Sequence, residues 1–412
     1  MSAEWPVVVL NDVLSTIIDY RGKTPPKSET GIAVLTAASV KDGRVLKDKV
    51  SYISQETYEK VTTRGFPQEG DVLITTEAPV GEVAPFPTDK TYHITRRIMA
   101  LRGNGDIIDS AFLLYALLGP HNQSQLEACT RGSTVPRVLK TDITGLEFPL
   151  PPLPVQQQIG VFLAAIDAKI GLNSRTNQTL EAMAQAIFKS WFVDFNPVKA
   201  KMRGEQPEGI DVETASLFPE KLVESELGLI PEGWGVGELS KLFELHRGFD
   251  LPKSKRQDGE YPVYAAGGYH GTHNEFKMEP PGIITGRSGV IGNVYLSLDK
   301  YWPLNTTLYV REFRTCGPYY AYHLLRSLDL KSLNSGSAVP SLNRNFVHST
   351  NVCHPDSDVL AKFEEIVTPL FEKMVANNEQ NKSLSELRDT LLPKLLSGEI
   401  ELGQAQELAE VE

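Results

Sequence analysis

Apolar and small residues between Leu150 and Trp191 recur at Ile159, Phe162, Ile166, Ile170, Leu180, Met183, Ile187 and Trp191. Steps of three and four that average to a heptad predict a helix, not a strand. Pro149, Pro151, Pro152 and Pro154 cannot lie in a helix interior, so the helix starts at or just after Pro154, and Pro197 ends it. About 35 residues at 1.5 Å each make a helix about 50 Å long. An isolated helix of that length needs a partner.

The same pattern returns from Val359 to Leu396, through Phe363, Ile366, Val367, Leu370, Met374, Leu384, Leu387, Leu391 and Leu395. At a constant offset of 204, Ile159 meets Phe363, Ile166 meets Leu370, Leu180 meets Leu384 and Ile187 meets Leu391. Asn173 meets Asn377 at the first core position of the middle heptad. A buried asparagine there lowers stability but fixes register, because only a facing polar group satisfies its amide. The alternative is a wet helix edge.

The repeat extends upstream. Gly132-Ser133-Thr134-Val135-Pro136 matches Gly336-Ser337-Ala338-Val339-Pro340, and Phe112–Leu118 resembles Tyr319–Leu325. Ile74-Thr75 resembles Ile284-Thr285, and Arg21-Gly22 resembles Arg247-Gly248. The expectation is therefore two similar halves, each a strand-rich body followed by one long helix. In the first body, strands are expected at Val7–Leu10, Ile32–Thr36, Val72–Thr76 and Arg97–Leu101, with one short amphipathic helix at Ser110–Leu118. In the second, strands are expected at Tyr261–Ala265, Gly282–Thr285, Val294–Leu298 and Thr307–Val310, with a helix at Tyr319–Leu328. The fold class is α+β. Its parts are a first body at 1–149, a spacer helix at 150–203, an acidic linker at 204–232, a second body at 233–353, a second spacer helix at 354–398 and an acidic tail at 399–412.

Charge changes this picture little until it is divided. The chain of 412 residues carries a formal charge of -11, which argues against a nucleic-acid binder if read globally. Eight acids against one base lie between Gly204 and Glu232, and five acids with no base between Ser397 and Glu412. The rest is close to neutral, so the acid belongs to a linker and to a tail expected to be disordered. There is no run of about 18 apolar residues, so no membrane span is expected. Cys129, Cys316 and Cys353 are far apart, which suggests a reduced, cytoplasmic setting without disulfides or a cysteine-based zinc site.

No catalytic constellation stands out. Gly286 to Gly292 could cradle a phosphate, but reads better as a turn between strands. His270, His273 and Glu275 would hold a metal only on a helix, and the surrounding glycines indicate a loop. Polar residues cluster instead in loops of the two bodies. The first has Arg21, Lys23, Thr24, Lys27, Arg64, Arg96, Arg97, Arg131, Ser133 and Arg137. The second has Arg247, Lys253, Lys255, Arg256, Arg287, Ser288, Ser335, Ser337 and Arg344. Arginine can read guanine bidentately, while lysine and serine suit phosphates. Solvated basic loops are the bland alternative.

The motifs PLPPLPVQQQIG, AIFKSWFVDFNPVKAKM, SELGLIPEGW and LLPKLLSGEI, together with the duplicated helix, resemble those of the specificity subunit of type I restriction-modification systems. The likeness covers nearly the whole chain. It implies two target recognition domains, each reading one half of a bipartite double-stranded DNA sequence, related by a pseudo-twofold axis. It implies two long helices paired as an antiparallel coiled coil that sets the half-site spacing. Catalysis would then belong to partners: two methylation subunits using S-adenosylmethionine and restriction subunits using ATP and Mg, with no cofactor in this chain. The outer face of the first long helix, ending at Lys189 to Phe195, is the expected docking face for the methylation subunits. The competing expectation is a coiled-coil adaptor that binds proteins and no DNA.

Overall fold

The computed structural model describes residues 5–20, 24–47, 50–336 and 338–411, with 409–411 by backbone alone. The chain divides into two compact units, Met1–Leu172 with Gln380–Glu412, and Asn173–Glu379. Each holds one strand-rich body and a stretch of both long helices.

The first body centres on a four-stranded antiparallel sheet in the order Leu14–Asp19, Ile98–Gly103, Val72–Thr76, Val80–Pro85. Val72 to Thr75 are buried without alternation, because both faces of this strand are covered. Helix Ser110–Leu118 forms where expected, yet Phe112 to Leu117 are all buried, so it is a core helix and not an amphipathic one. Helices Gln55–Val61, Pro120–Cys129 and Lys140–Thr144 were not foreseen. The second body repeats the sheet as Phe243–Arg247, Thr307–Phe313, Gly282–Gly286, Val294–Ser297. Each body also carries a three-stranded sheet whose middle strand, Ile32–Leu35 or Tyr261–Ala265, is antiparallel to one neighbour and parallel to the other. This common strand order demonstrates the duplication more firmly than the sequence match does.

The ladders also correct that match by one or two residues. Met99 faces Asp19 and Ile74, whereas Leu308 faces Arg247 and Thr285. Ile74 therefore corresponds to Thr285, and Arg247 to Asp19 rather than to Arg21. Aligning identical residue types had hidden the slip.

The long helices run Leu153–Phe188 and Ser357–Ser397. In the first unit, Ile159 and Leu163 share a core with Leu391, Leu392 and Leu395. Arg388 Nη1 and the Tyr115 hydroxyl each donate to Asp167 at 2.7 Å. In the second unit, Phe188 meets Phe363 at 6.1 Å between ring centroids, and Asn377 Nδ2 donates to Asn177 Oδ1 at 2.8 Å. One helix ascends as the other descends, so the pairing is antiparallel within each unit. Asn173 and Asn377 are 3% and 2% exposed, which removes the wet-edge reading. Asn177 in turn donates to Asn378 Oδ1 at 2.8 Å and to the Met374 carbonyl at 3.3 Å.

Two expectations are corrected. Residues 204–232 are folded: Asp211 caps helix Val212–Ser216, and Leu222–Ser225 pairs with Gly228–Pro231. Phe218 is buried edge-on against Trp191, 5.0 Å between centroids. The acids had masked an apolar set (Ile210, Leu217, Phe218, Leu222) that packs on the core. The tail likewise forms helix Leu402–Val411, with Ala405 fully buried. Finally, Lys189–Val193 is a wider π turn that rotates Trp191 and Phe192 into the core of their own unit. Those aromatics face inward while Lys189 and Val193 remain exposed, and Pro197 opens the next helix, Asn196–Met202.

Candidate nucleic-acid interface

In each body a tight loop is fastened beside the end of a central strand. In the first, Arg131 and Arg137 exchange main-chain hydrogen bonds at 2.9 Å, and the Ala78 amide donates to the Pro136 carbonyl at 3.1 Å. In the second, the Ser335 amide donates to the Ser341 carbonyl at 2.8 Å, and the Gly289 amide to the Pro340 carbonyl at 2.9 Å. The repeated glycine is required by this closure. A Cβ at Gly336 would lie 2.0 Å from the Val339 carbonyl oxygen, and one at Gly132 2.7 Å from that of Val135. The GSxVP repeat is thus a scaffold that presents the side chains around it.

The second body has a cleft of about 310 Å³ at this loop, lined by Arg247, Arg287, Leu308, Ser335, Ser341, Leu342, Asn343 and Arg344. Three arginines and no carboxylate line it, which favours an anionic or acceptor-rich occupant. Arg287 is held at its root: its amide donates to the Thr306 carbonyl at 2.8 Å, its carbonyl accepts from the Leu342 amide at 2.8 Å, and Nε donates to the Asn305 carbonyl at 3.1 Å. Arg344 opens a short helix, Arg344–His348, next to its capping residue Asn343. His348 Nε2 accepts from the Leu245 amide at 2.9 Å, and burial holds its pKa below the ordinary value, which keeps it neutral behind the cleft. Arg247 is 3.6 Å from Asp250.

The first body groups different side chains around the same backbone. Arg97 pairs with Glu77 at 2.8 Å, and Arg131 pairs with Asp142. Glu77 and Arg137 form an isolated bridge, as do Arg131 and Arg137, so Arg97, Arg131 and Arg137 gather there, with Ser133 exposed in the loop between the last two. Asp142 sits below the usual carboxylate range, chiefly through the Arg131 hydrogen bond. The Arg131 guanidinium is therefore partly neutralised.

The remaining candidates are dispersed. Thr24, Lys27, Arg96, Lys253 and Lys255 are exposed. Arg64 donates to the Asp19 carbonyl at 3.2 Å, and Arg256 Nη1 lies 2.8 Å from His270 Nδ1. Ser288 bridges Ser341 at the rim of the cleft. Arg21, Lys23 and Ser337 lie outside the described residues. Gly286 to Gly292 connects two paired strands, as the turn reading expects, whereas His270 and His273 lie on strand Gly268–His273 and not in a loop. Among the described residues no His, Cys, Asp and Glu group could hold a metal, and no helix is long and apolar enough to cross a membrane. Sequence reasoning missed Ser341, Asn343 and the buttress Asn305. Only Asn343 left a trace, as a cap-forming asparagine before a short helix.

The family model for the type I restriction modification DNA specificity domain matches residues 2–182 and 231–384, covering both bodies. The chain belongs to the type I restriction-modification specificity family. It is similar to the specificity subunit of the HindI type I restriction enzyme of Haemophilus influenzae, 28% identical with 75% of this chain and 81% of that one covered. It is also similar to the MjaIX specificity subunit of Methanocaldococcus jannaschii, 25% identical with 84% and 81% covered. The fold matches that of a crystal structure of a type I S subunit from M. genitalium, with a TM-score of 0.54, 19% identity, and 95% and 96% of the two chains covered. As a type I specificity subunit, this chain serves sequence-specific DNA recognition in a restriction-modification system.

Proposed function

We propose that this specificity subunit is the non-catalytic DNA reader of a type I complex, with each body recognising one half of a bipartite duplex target. The observation that carries the reading is the repeated loop-and-strand scaffold, which presents arginine-rich but different side chains in the two bodies. Phosphate contacts position a protein and base contacts specify its sequence, and a shared backbone with divergent side chains suits both tasks. The paired helices act as the spacer, with the Asn377–Asn177 hydrogen bond fixing their register. Methyl transfer with S-adenosylmethionine, and any ATP- and Mg-dependent cleavage, belong to partner subunits. Two methylation subunits dock on outward helix residues, exposed Val161 and Leu172 in the first unit and Met183 and Val193 in the second.

The test is binding of the purified chain with its methylation subunit to duplex DNA over a range of salt. Counterion release predicts that log affinity falls linearly with log salt, with a slope of about -0.9 per phosphate contacted. An assembled complex without DNA binding would instead fit a scaffold that joins proteins alone.

A further inference from the structure

The same main-chain position carries different chemistry in the two bodies. The Val138 amide donates to the Thr76 carbonyl at 3.0 Å, and the Thr76 amide to the Arg97 carbonyl at 2.9 Å. The Leu342 amide donates to the Arg287 carbonyl at 2.8 Å, and the Arg287 amide to the Thr306 carbonyl at 2.8 Å. Thr76 and Arg287 are therefore counterparts on one scaffold, both half-exposed. The reverse exchange occurs in the adjoining loop, where Arg131 and Arg137 stand in the places of Ser335 and Ser341. A contact needed only to hold the phosphate backbone has no reason to move between copies, whereas a contact that reads a base does.

Arg287 has the geometry of a reader. Its Nε is committed to the Asn305 carbonyl at 3.1 Å and its main chain is pinned on both sides. The two Nη groups remain as a fork of fixed direction, which loses little freedom on binding. Guanine presents two adjacent acceptors, N7 and O6, on its major-groove edge, the match for such a fork. Cytosine presents an amino donor there, and the cleft lining contains no carboxylate to accept it.

We propose that Arg287 reads the N7/O6 edge of a guanine in the half-site of the second body, and that Thr76 leaves the corresponding position of the first half-site without this requirement. The two half-sites then differ in sequence although their readers share a backbone. This rests on the DNA-reading function above.

The experiment selects bound sequences from a randomised duplex pool, using the full chain with its methylation subunit. The variants are Arg287→Thr, which installs the side chain of the first body, and Arg287→Gln, whose amide suits adenine. The wild type should enrich a bipartite site with a required guanine in one half, and replacing that base by 7-deazaguanine should weaken binding about 10- to 100-fold. Arg287→Thr should lose that guanine preference while the other half-site is unchanged, and Arg287→Gln should shift the position toward adenine. Enrichment of a bipartite site whose guanine requirement survives in both variants would overturn the Arg287 assignment and leave DNA reading intact. So would a uniform loss across all sequences with preferences unchanged, the mark of a phosphate contact. If the wild type enriches no sequence at all, DNA reading itself fails, and the assignment with it.

Discussion

Glu364 illustrates how one residue can carry a cost that its neighbours make necessary. Its Oε1 accepts the Tyr320 amide at 2.8 Å, capping the helix Pro318–Ser327, while Cys316 and Tyr319 stand around it. Burial raises its pKa from 4.5 to about 7. A folded-state value above the unfolded one means that stability from this group is complete below about pH 4.5 and is lost as pH rises through about 7. Glu364→Gln keeps the accepting oxygen and removes the charge. Its melting temperature should exceed the wild type's by a margin that grows from pH 5 to pH 8, reaching a few degrees. A margin independent of pH would contradict the assignment. The residue scale was also the least legible from sequence. Arg247, Arg287, Ser335 and Arg344 were picked out as basic or polar loop residues, but their convergence depends on strand register. Arg256, chosen on the same grounds, is occupied by His270. Composition names candidates, and only long-range pairing decides which of them meet.

The repeated elements solve one capping problem in two ways. In the first unit the cap is Asp109, whose Oδ1 accepts the Phe112 amide at 3.0 Å, with Gly160 of the long helix packed against it. In the second unit the cap position is Gly317, and the long helix supplies Glu364 instead. A Cβ at Gly160 would lie 3.0 Å from Asp109 Oδ1, and a Cβ at Gly317 would lie 2.2 Å from Glu364 Cδ. Each glycine makes room for the opposite carboxylate. Gly160→Glu alone should cost about 2 kcal/mol through overpacking, and Asp109→Gly alone about 0.3 kcal/mol. The double variant should recover most of the loss, because the second copy already uses that arrangement. Hydrogen exchange at the Phe112 amide measures this locally, and simple additivity of the two losses would refute the exchange. Elements themselves were largely legible: the periodicity located the second long helix to within about three residues, whereas the first ends at Phe188, short of Pro197, because the π turn Lys189–Val193 intervenes. Segment 204–232 was misread because net charge was averaged over residues whose acids face water and whose apolar side chains face the core.

On the scale of the whole chain, duplication supplies the logic. On the proposed reading, one scaffold made twice would give two readers, and the divergence of Arg287 from Thr76 and of Arg131 from Ser335 would let them read different sequences. The repeat was visible in the long helices because a heptad tolerates no insertion, while the bodies between drifted in loop length, and their central strands were aligned to the residue only through their ladders. The central claim is that the two bodies recognise their half-sites independently. Its most direct test replaces residues 5–149 with the equivalent body of another specificity subunit. The chimera is expressed with the methylation subunit in a host without other methylation, and every modified base is mapped by sequencing. One half of the methylated motif should change to that of the donor while the other half and the intervening gap stay as in the wild type. A change in both halves, or in neither while methylation persists, would contradict the account.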